Sequence, residues 1–181
     1  GKLLTLDPKA IAKGTDADGI EVVEAQPYAV HGTFAEALDG ETGILKKGLH
    51  RMNRNQIHLS KGLLGEQVVI SGMRRDCAVY IWVDIHRAMN EGGLRFWETP
   101  NGVILCDGDA DGYLPQQYFS VTIWLKDDLA TKSDKKTAQL RLIERLYSGA
   151  SFVSVTKLHG GFSGSLVLNV DVKIDGRAGE P

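Results

Sequence analysis

The sequence predicts an α+β protein in which a β-rich unit is followed by a helix and a β-hairpin. Three observations support this fold class. Short segments with apolar residues at every second position recur between about residues 25 and 125, as strands of a sheet do. Within that range, helical spacing is confined to short stretches that end at glycines. A longer amphipathic helix and two more strand-like segments follow only after residue 132.

Composition and charge exclude several classes of protein. The 181 residues are 43% hydrophobic and 24% charged, which is typical of globular chains. With 21 Lys and Arg against 23 Asp and Glu, the net charge of −2 excludes a strongly basic surface for non-specific nucleic-acid binding, although a local patch would still serve. No apolar run reaches the roughly 18 residues of a membrane helix, and residues 1–4 do not show the charged-then-apolar layout of a signal peptide. Cys77 and Cys106 lie in apolar runs, which predicts buried free thiols rather than a metal site. We therefore expect a cytoplasmic or nuclear protein without a membrane or metal partner, joined to further domains upstream and downstream.

The β-rich unit is predicted element by element from alternation and turn residues. Turn-forming residues dominate segment 1–26, and the central strand is 77–84, which is apolar on both faces. The predicted strands are 20–23, 28–33, 56–60, 77–84, 96–97, 102–106 and 121–125, and the short helices are 34–45 and 87–91.

The segment after residue 125 has a different pattern. Ser133 and Gly149 bound an amphipathic helix over 133–148. A strand–turn–strand over 151–174 contains a Gly-rich turn, similar to loops that cover phosphates in kinase-like sites, but no metal-binding Asp follows. A plain hairpin is therefore expected. We predict three segments, 1–26, 27–125 and 126–181.

Three clusters within the β-rich unit could carry chemistry. His31-Gly32-Thr33 ends a strand, where glycine permits close backbone approach and the neighbours supply donors and acceptors. His58 and Ser60 share one face of a strand because the side-chain period is two. Arg74 and Arg75 precede the central strand, where a guanidinium can bind phosphate in a bidentate manner. Taken singly, each cluster is also explained by a turn cap, a solvated edge strand or a solvated charge pair.

Taken together, these clusters resemble the NAD-dependent RNA 2'-phosphotransferase family. The resemblance rests on five segments in the family's order over about 95 residues. They are 28–33, 48–60, 69–74, Phe96 with 101–105, and Pro115 with 118–119. The resemblance implies an ADP-ribosyltransferase-like split β-sheet, NAD as co-substrate and RNA carrying a 2'-phosphate, such as tRNA at a splice junction, as the partner.

The resemblance also implies a reaction and its residues. The RNA 2'-phosphate would attack the anomeric carbon of the nicotinamide ribose and expel nicotinamide. The 2''-hydroxyl would then attack that phosphate and release RNA and ADP-ribose 1'',2''-cyclic phosphate. Arg74 is implied as the catalytic residue that steadies the phosphate. The residues implied to bind NAD are His31, Gly32, Thr33, His58, Leu59, Ser60, Asn101, Gly102 and Val103.

One part of the family pattern is missing. The family has an N-terminal lobe with an Arg-His pair, and then a further Arg before a Gln-Gly-His-Ser stretch. Residues 10–18 hold neither Arg nor His where the later motif is expected. The missing lobe either belongs to a longer protein or has been lost. Two alternatives therefore stay open: another ADP-ribosyltransferase that modifies RNA ends or proteins, and a non-catalytic module that binds NAD or ADP-ribose.

Overall fold

A computed structural model describes residues 2–9, 14–15, 21–63, 66, 73–126, 136–147, 149–157 and 168–174. Within these ranges the strands are β1 (Leu4–Asp7), β2 (Gly14–Thr15), β3 (Glu21–Glu24), β4 (Tyr28–Thr33), β5 (Leu49–His50), β6 (Ile57–Ser60), β7 (Val79–Asp84), β8 (Phe96–Glu98), β9 (Val103–Cys106), β10 (Tyr113–Leu114), β11 (Phe119–Leu125), β12 (Phe152–Lys157) and β13 (Leu168–Lys173). The helices are α1 (Ile44–Lys47), α2 (Ile85–Asn90) and α3 (Lys136–Leu146), with 3₁₀ turns at Ala35–Ala37 and Gln116–Tyr118.

The strands form one large, mostly antiparallel sheet, which confirms the α+β class. Its order is β13-β12-β11-β7-β4-β6-β9-β8-β1-β3-β2 among the described residues. The pairs β1–β3 and β11–β12 are parallel. β5 and β10 form a separate two-stranded ladder.

The sheet is joined weakly at one place, between β4 and β6. These strands share a single register pair, Val30 opposite Ser60. By contrast, β4 pairs with β7 through six residues, and β6 pairs with β9 through four. We call the β4–β6 boundary the split, the β4, β7, β11, β12 and β13 side the first half, and the other side the second half.

The central strand β7 separates two hydrophobic cores. Val79, Ile81 and Val83 belong to the core on one face of the sheet. Tyr80 and Trp82 belong to the core on the other face, which α3 covers. Both Cys77 and Cys106 are buried and free, as predicted. The Asp84 carboxylate accepts a 2.9 Å hydrogen bond from the Arg87 N–H, so the following helix starts two residues before its predicted start.

Some elements differ from the sequence prediction. β1 is not predicted, because its pairing to β8 and β3 is long-range rather than a local pattern. The predicted helix 34–45 is replaced by a 3₁₀ turn and by the four-residue α1, with Gly40 at φ 98° between them. The helix after residue 132 and the hairpin are confirmed, and β12 adds to the same sheet beside β11. The Gly-rich turn and most of residues 10–18 lie outside the described residues.

In the described part of the chain, no helix is both long enough and apolar enough to cross a membrane.

Candidate active site at the split of the sheet

His31 links the two sides of the split. It lies on β4 and is partly buried. Its Nδ1 donates a 3.0 Å hydrogen bond to the His58 carbonyl oxygen on β6. Because a carbonyl only accepts, this bond assigns the proton to Nδ1 and leaves Nε2 as an acceptor.

The surroundings of His31 favour the neutral ring. Burial lowers the pKa of His31 below its ordinary value, although the bond to the His58 carbonyl acts in the opposite direction. Electrostatic interactions with Arg54 and with His58 also lower the pKa of His31. At neutral pH, His31 therefore offers one fixed donor and one acceptor.

Gly32 and Thr33 complete the end of β4. A Cβ on Gly32 would lie 2.5 Å from Met73 Cγ and 3.0 Å from Cys77 Sγ. The absence of that carbon is what lets Met73 pack directly over the strand. The Thr33 carbonyl accepts a 3.1 Å bond from the Ala78 N–H, which fixes the last residue of β4 against β7.

The three predicted residues on β6 have different environments. His58 is exposed, and its Nδ1 donates to the Gln56 carbonyl oxygen at 3.1 Å. Leu59 lies in the core opposite Ile104, so only its backbone could contact a ligand. Ser60 is buried, and its hydroxyl donates to the Gly62 carbonyl oxygen at 2.7 Å.

The predicted wall at 101–103 lies beside Ser60. Asn101 is exposed in the turn before β9. Gly102 has φ 75°, a conformation that favours glycine. Val103 follows and pairs with Ser60. The neighbouring Lys61 is held in an ion pair by Glu98.

Arg74 occupies the open end of β4. Its Nε and Nη2 donate to the two carboxylate oxygens of Asp76 at 3.2 and 3.1 Å. Its guanidinium carbon lies 5.1 Å from the ring centroid of Phe34, the residue after β4. The side chain is 69% exposed, and the bonds and charge of Asp76 raise the pKa of Arg74.

The structure thus places the predicted NAD-binding residues on the three adjacent strands β4, β6 and β9 and in the turn before β9, with Arg74 at the end of β4. Sequence analysis missed Arg54 as a site residue. Its guanidinium acts electrostatically on His31 and lowers the pKa of that ring. Its place four residues before His58 was the available signal.

Two other observations bear on the site. No group of three or more His, Cys, Asp or Glu in the described ranges is placed to hold a metal ion. A cavity of about 620 Å³ lies away from the split, between the start of β11 and the C-terminal hairpin, and its lining contains none of the predicted site residues.

Comparison with known proteins decides the family. Residues 8–108, more than half of the chain, match the family model described as RNA 2'-phosphotransferase, Tpt1 / KptA family. The chain belongs to this family. All ten predicted site residues lie within the matched range, whereas α3, β12 and β13 lie outside it.

Individual members of the Tpt1 / KptA family show the same similarity. The chain is 47% identical over 92 residues to tRNA 2'-phosphotransferase 1 of Danio rerio, which covers 51% of this chain and 39% of that protein. It is 44% identical over 101 residues to a putative tRNA 2'-phosphotransferase of Schizosaccharomyces pombe, 56% of this chain and 26% of that protein. Identity to the Homo sapiens tRNA 2'-phosphotransferase 1 is 40% over 100 residues, 55% of this chain and 38% of that protein. The chain therefore matches less than half the length of each of these relatives.

Proposed function

We propose that this chain transfers a 2'-phosphate from RNA to NAD, with release of nicotinamide and formation of ADP-ribose 1'',2''-cyclic phosphate. One observation carries the proposal. In a member of an RNA 2'-phosphotransferase family, the His31 ring is hydrogen-bonded to the His58 carbonyl oxygen across the split, and the family resemblance implies that both residues bind NAD.

The residues at the split fit NAD as a ligand. The free acceptor of His31, its Nε2, suits a ribose hydroxyl, which is a hydrogen-bond donor. The exposed ring of His58 lies on the neighbouring strand β6, and Val103 of the predicted wall pairs with Ser60 of that strand. When bound, NAD supplies an anomeric carbon that carries a good leaving group. The part of the protein is to hold the ribose and to exclude water from that carbon.

Arg74 is the proposed phosphate-binding residue. A guanidinium offers a fixed fork of donors that matches the oxygens of a phosphate. In this structure the fork binds the Asp76 carboxylate, which has a similar planar pair of oxygens. An RNA 2'-phosphate would therefore replace Asp76 on Arg74. The remaining cations of the family's RNA lobe would come from further domains. A tRNA substrate would place the reaction in the cytoplasm or the nucleus.

The test uses the protein together with any upstream RNA-binding lobe, a short RNA with an internal 2'-phosphate, and NAD. Chromatography should show equal amounts of free nicotinamide, RNA with a 2'-hydroxyl, and ADP-ribose cyclic phosphate. The same RNA without the 2'-phosphate is the matched control and should release no nicotinamide. An intact 2'-phosphate after prolonged incubation, with NAD bound, contradicts the proposal.

A second candidate function is ADP-ribosyl transfer to an RNA end or a protein. It is favoured by the guanidinium of Arg74, which is already bound to the Asp76 carboxylate. Such a reaction uses the same NAD site and needs no residue that binds a 2'-phosphate. Its product is a stable ADP-ribosyl adduct, which mass spectrometry distinguishes from the cyclic phosphate. Binding of NAD without release of nicotinamide from any of these substrates would indicate a non-catalytic module.

A further inference from the structure

Helix α3 is packed on the first half of the sheet. Its Leu140 and Ile143 lie in the same buried core as Val121 and Ile123 of β11. β11 pairs with β7, and β7 pairs with β4. The position of α3 is therefore tied to the β4 side of the split.

Glu66 is tied to the opposite side of the split. One of its carboxylate oxygens accepts a 2.8 Å hydrogen bond from the Leu63 N–H, shortly after β6 ends. Leu63 is almost fully buried, in the core that also contains Val30 of β4 and Leu140 of α3, so its packing already links the end of β6 to the first half. It follows Gly62, whose carbonyl oxygen accepts the Ser60 hydroxyl. Hydrogen bonds thus connect Glu66 to the end of β6 and to the candidate site residue Ser60.

Arg141 of α3 binds Glu66 through both arms of its guanidinium. Nε donates to one carboxylate oxygen at 2.7 Å and Nη2 to the other at 2.9 Å. Burial alone would raise the pKa of Glu66, but the bonds from Arg141 and the Leu63 N–H outweigh it, so the net shift is downward. Bidentate, charge-assisted bonds fix geometry better than a single contact does.

This ion pair bridges the two halves of the sheet where their backbone connection is weakest. The backbone contributes one register pair across the split, Val30 with Ser60, and His31 adds its bond to the His58 carbonyl. The Arg141–Glu66 pair adds a tether from outside the sheet. It also comes from a helix that lies beyond the range matched by the family model.

We propose that Arg141 is a positioning residue for nucleotide binding. By holding Glu66, it fixes the end of β6 relative to β4 and so sets the width of the space that NAD would enter. The C-terminal segment that contains α3 then stabilises the geometry of the candidate site through this ion pair. This inference rests on the proposed function, since it takes NAD as the ligand at the split.

The test measures NAD affinity by calorimetry for the full chain and for Arg141→Gln, Glu66→Gln and the exchanged pair Arg141→Glu with Glu66→Arg. Removal of either partner should weaken NAD binding roughly 2- to 30-fold. The double variant Arg141→Gln with Glu66→Gln should be no worse than either single variant, and the exchanged pair should recover part of the loss. Arg145→Gln, an exposed arginine on the same helix, is the control and should bind NAD like the parent.

The outcomes separate positioning from general stability. A lower melting temperature with unchanged NAD affinity would make Arg141 a structural residue only and would overturn the proposal. If Arg141→Gln does not fold, Arg141→Lys keeps the charge and loses the fork, and it should show a smaller loss of NAD affinity. A parent that binds NAD but transfers no phosphate overturns the proposed function alone. A parent that does not bind NAD overturns both.

Discussion

The two parts of the candidate site differ in how firmly they are held. In the nucleotide part, the His31 ring is bonded to the His58 carbonyl oxygen and Ser60 is 4% exposed. In the phosphate part, the side chain of Arg74 is 69% exposed and is bound to a neighbouring carboxylate. The residues of the nucleotide part are therefore held by hydrogen bonds and burial, whereas the guanidinium of Arg74 is exposed and already paired with Asp76.

This difference predicts that phosphate transfer, and not NAD binding, requires side-chain contacts in the candidate site to change. Groups held by backbone bonds can receive a ligand without losing much conformational entropy, which is the advantage of preorganisation. Under the proposed function, Arg74 would have to release the Asp76 carboxylate before it could bind the RNA phosphate. We therefore expect NAD to bind without RNA, and we expect phosphate transfer to depend on the release of Asp76.

Loss of Arg74 should give the largest effect. Arg74→Ala removes the donors that face the phosphate as its charge redistributes, and such losses cost about 10²–10³ in rate. NAD affinity should stay within about twofold, because Arg74 lies outside the nucleotide part. Single-turnover conversion of the 2'-phosphorylated RNA, together with an NAD titration, measures both.

The adjacent Arg75 provides the control for this variant, since it is also exposed. Arg75→Ala should turn over like the parent. If Arg74→Ala and Arg75→Ala both transfer phosphate at the rate of the parent, Arg74 is an exposed surface charge with no role in the transfer.

Removal of His31 should act on the other part of the site. His31→Ala leaves a ribose hydroxyl without its acceptor, which costs roughly 1–3 kcal/mol in NAD affinity. His50→Ala is the control, because the His50 ring is bonded to the Asp111 carbonyl oxygen and not to the split. Calorimetry with NAD should separate the two variants, and similar affinities would contradict the assignment.

A smaller effect is expected at Asp76. Asp76→Asn weakens the internal competitor of Arg74, so the KM for RNA should fall by at most about fivefold, as exposed ion pairs are weak. The KM for NAD should not change. If the KM for RNA rises instead, Asp76 orients the guanidinium rather than competing with the substrate.

The smallest expected effect is a dependence of stability on pH. Because the pKa of folded His31 lies below its ordinary value of 6.5, the unfolded chain takes up the proton first as the pH falls. The free energy of unfolding should therefore decrease below pH 6.5, and this decrease should be shallower in His31→Ala. Urea unfolding at pH 7.5, 6.5 and 5.5 measures the difference, and parallel profiles would contradict it.

Local pattern was enough to predict the strands that carry the site. β4, β6, β7 and β9 each show alternation or continuous apolar residues, and their bounds in the structure agree with the prediction within about two residues. β1 was missed because its stability comes from partners β3 and β8, which its own four residues do not reveal. His31, His58 and Arg74 were singled out by the family resemblance of five segments taken together, and their roles stay predictions.

The contacts of those residues could not be predicted in the same way. Nothing in the sequence distinguishes Arg74 bound to Asp76 from Arg74 facing a substrate. The pair of Glu66 and Arg141 joins residues 75 positions apart, and only the packing of α3 on β11 brings them together. The closeness of Arg54 to His31 likewise depends on the path of the loop before β6.

The most direct test of the account is an NAD titration in the absence of RNA, with the parent, His31→Ala and Arg74→Ala measured side by side. The account predicts saturable binding of NAD to the parent, nearly the same affinity for Arg74→Ala, and a clearly weaker affinity for His31→Ala. Binding that requires RNA, or that is lost in Arg74→Ala and kept in His31→Ala, would contradict a preformed nucleotide site at the split.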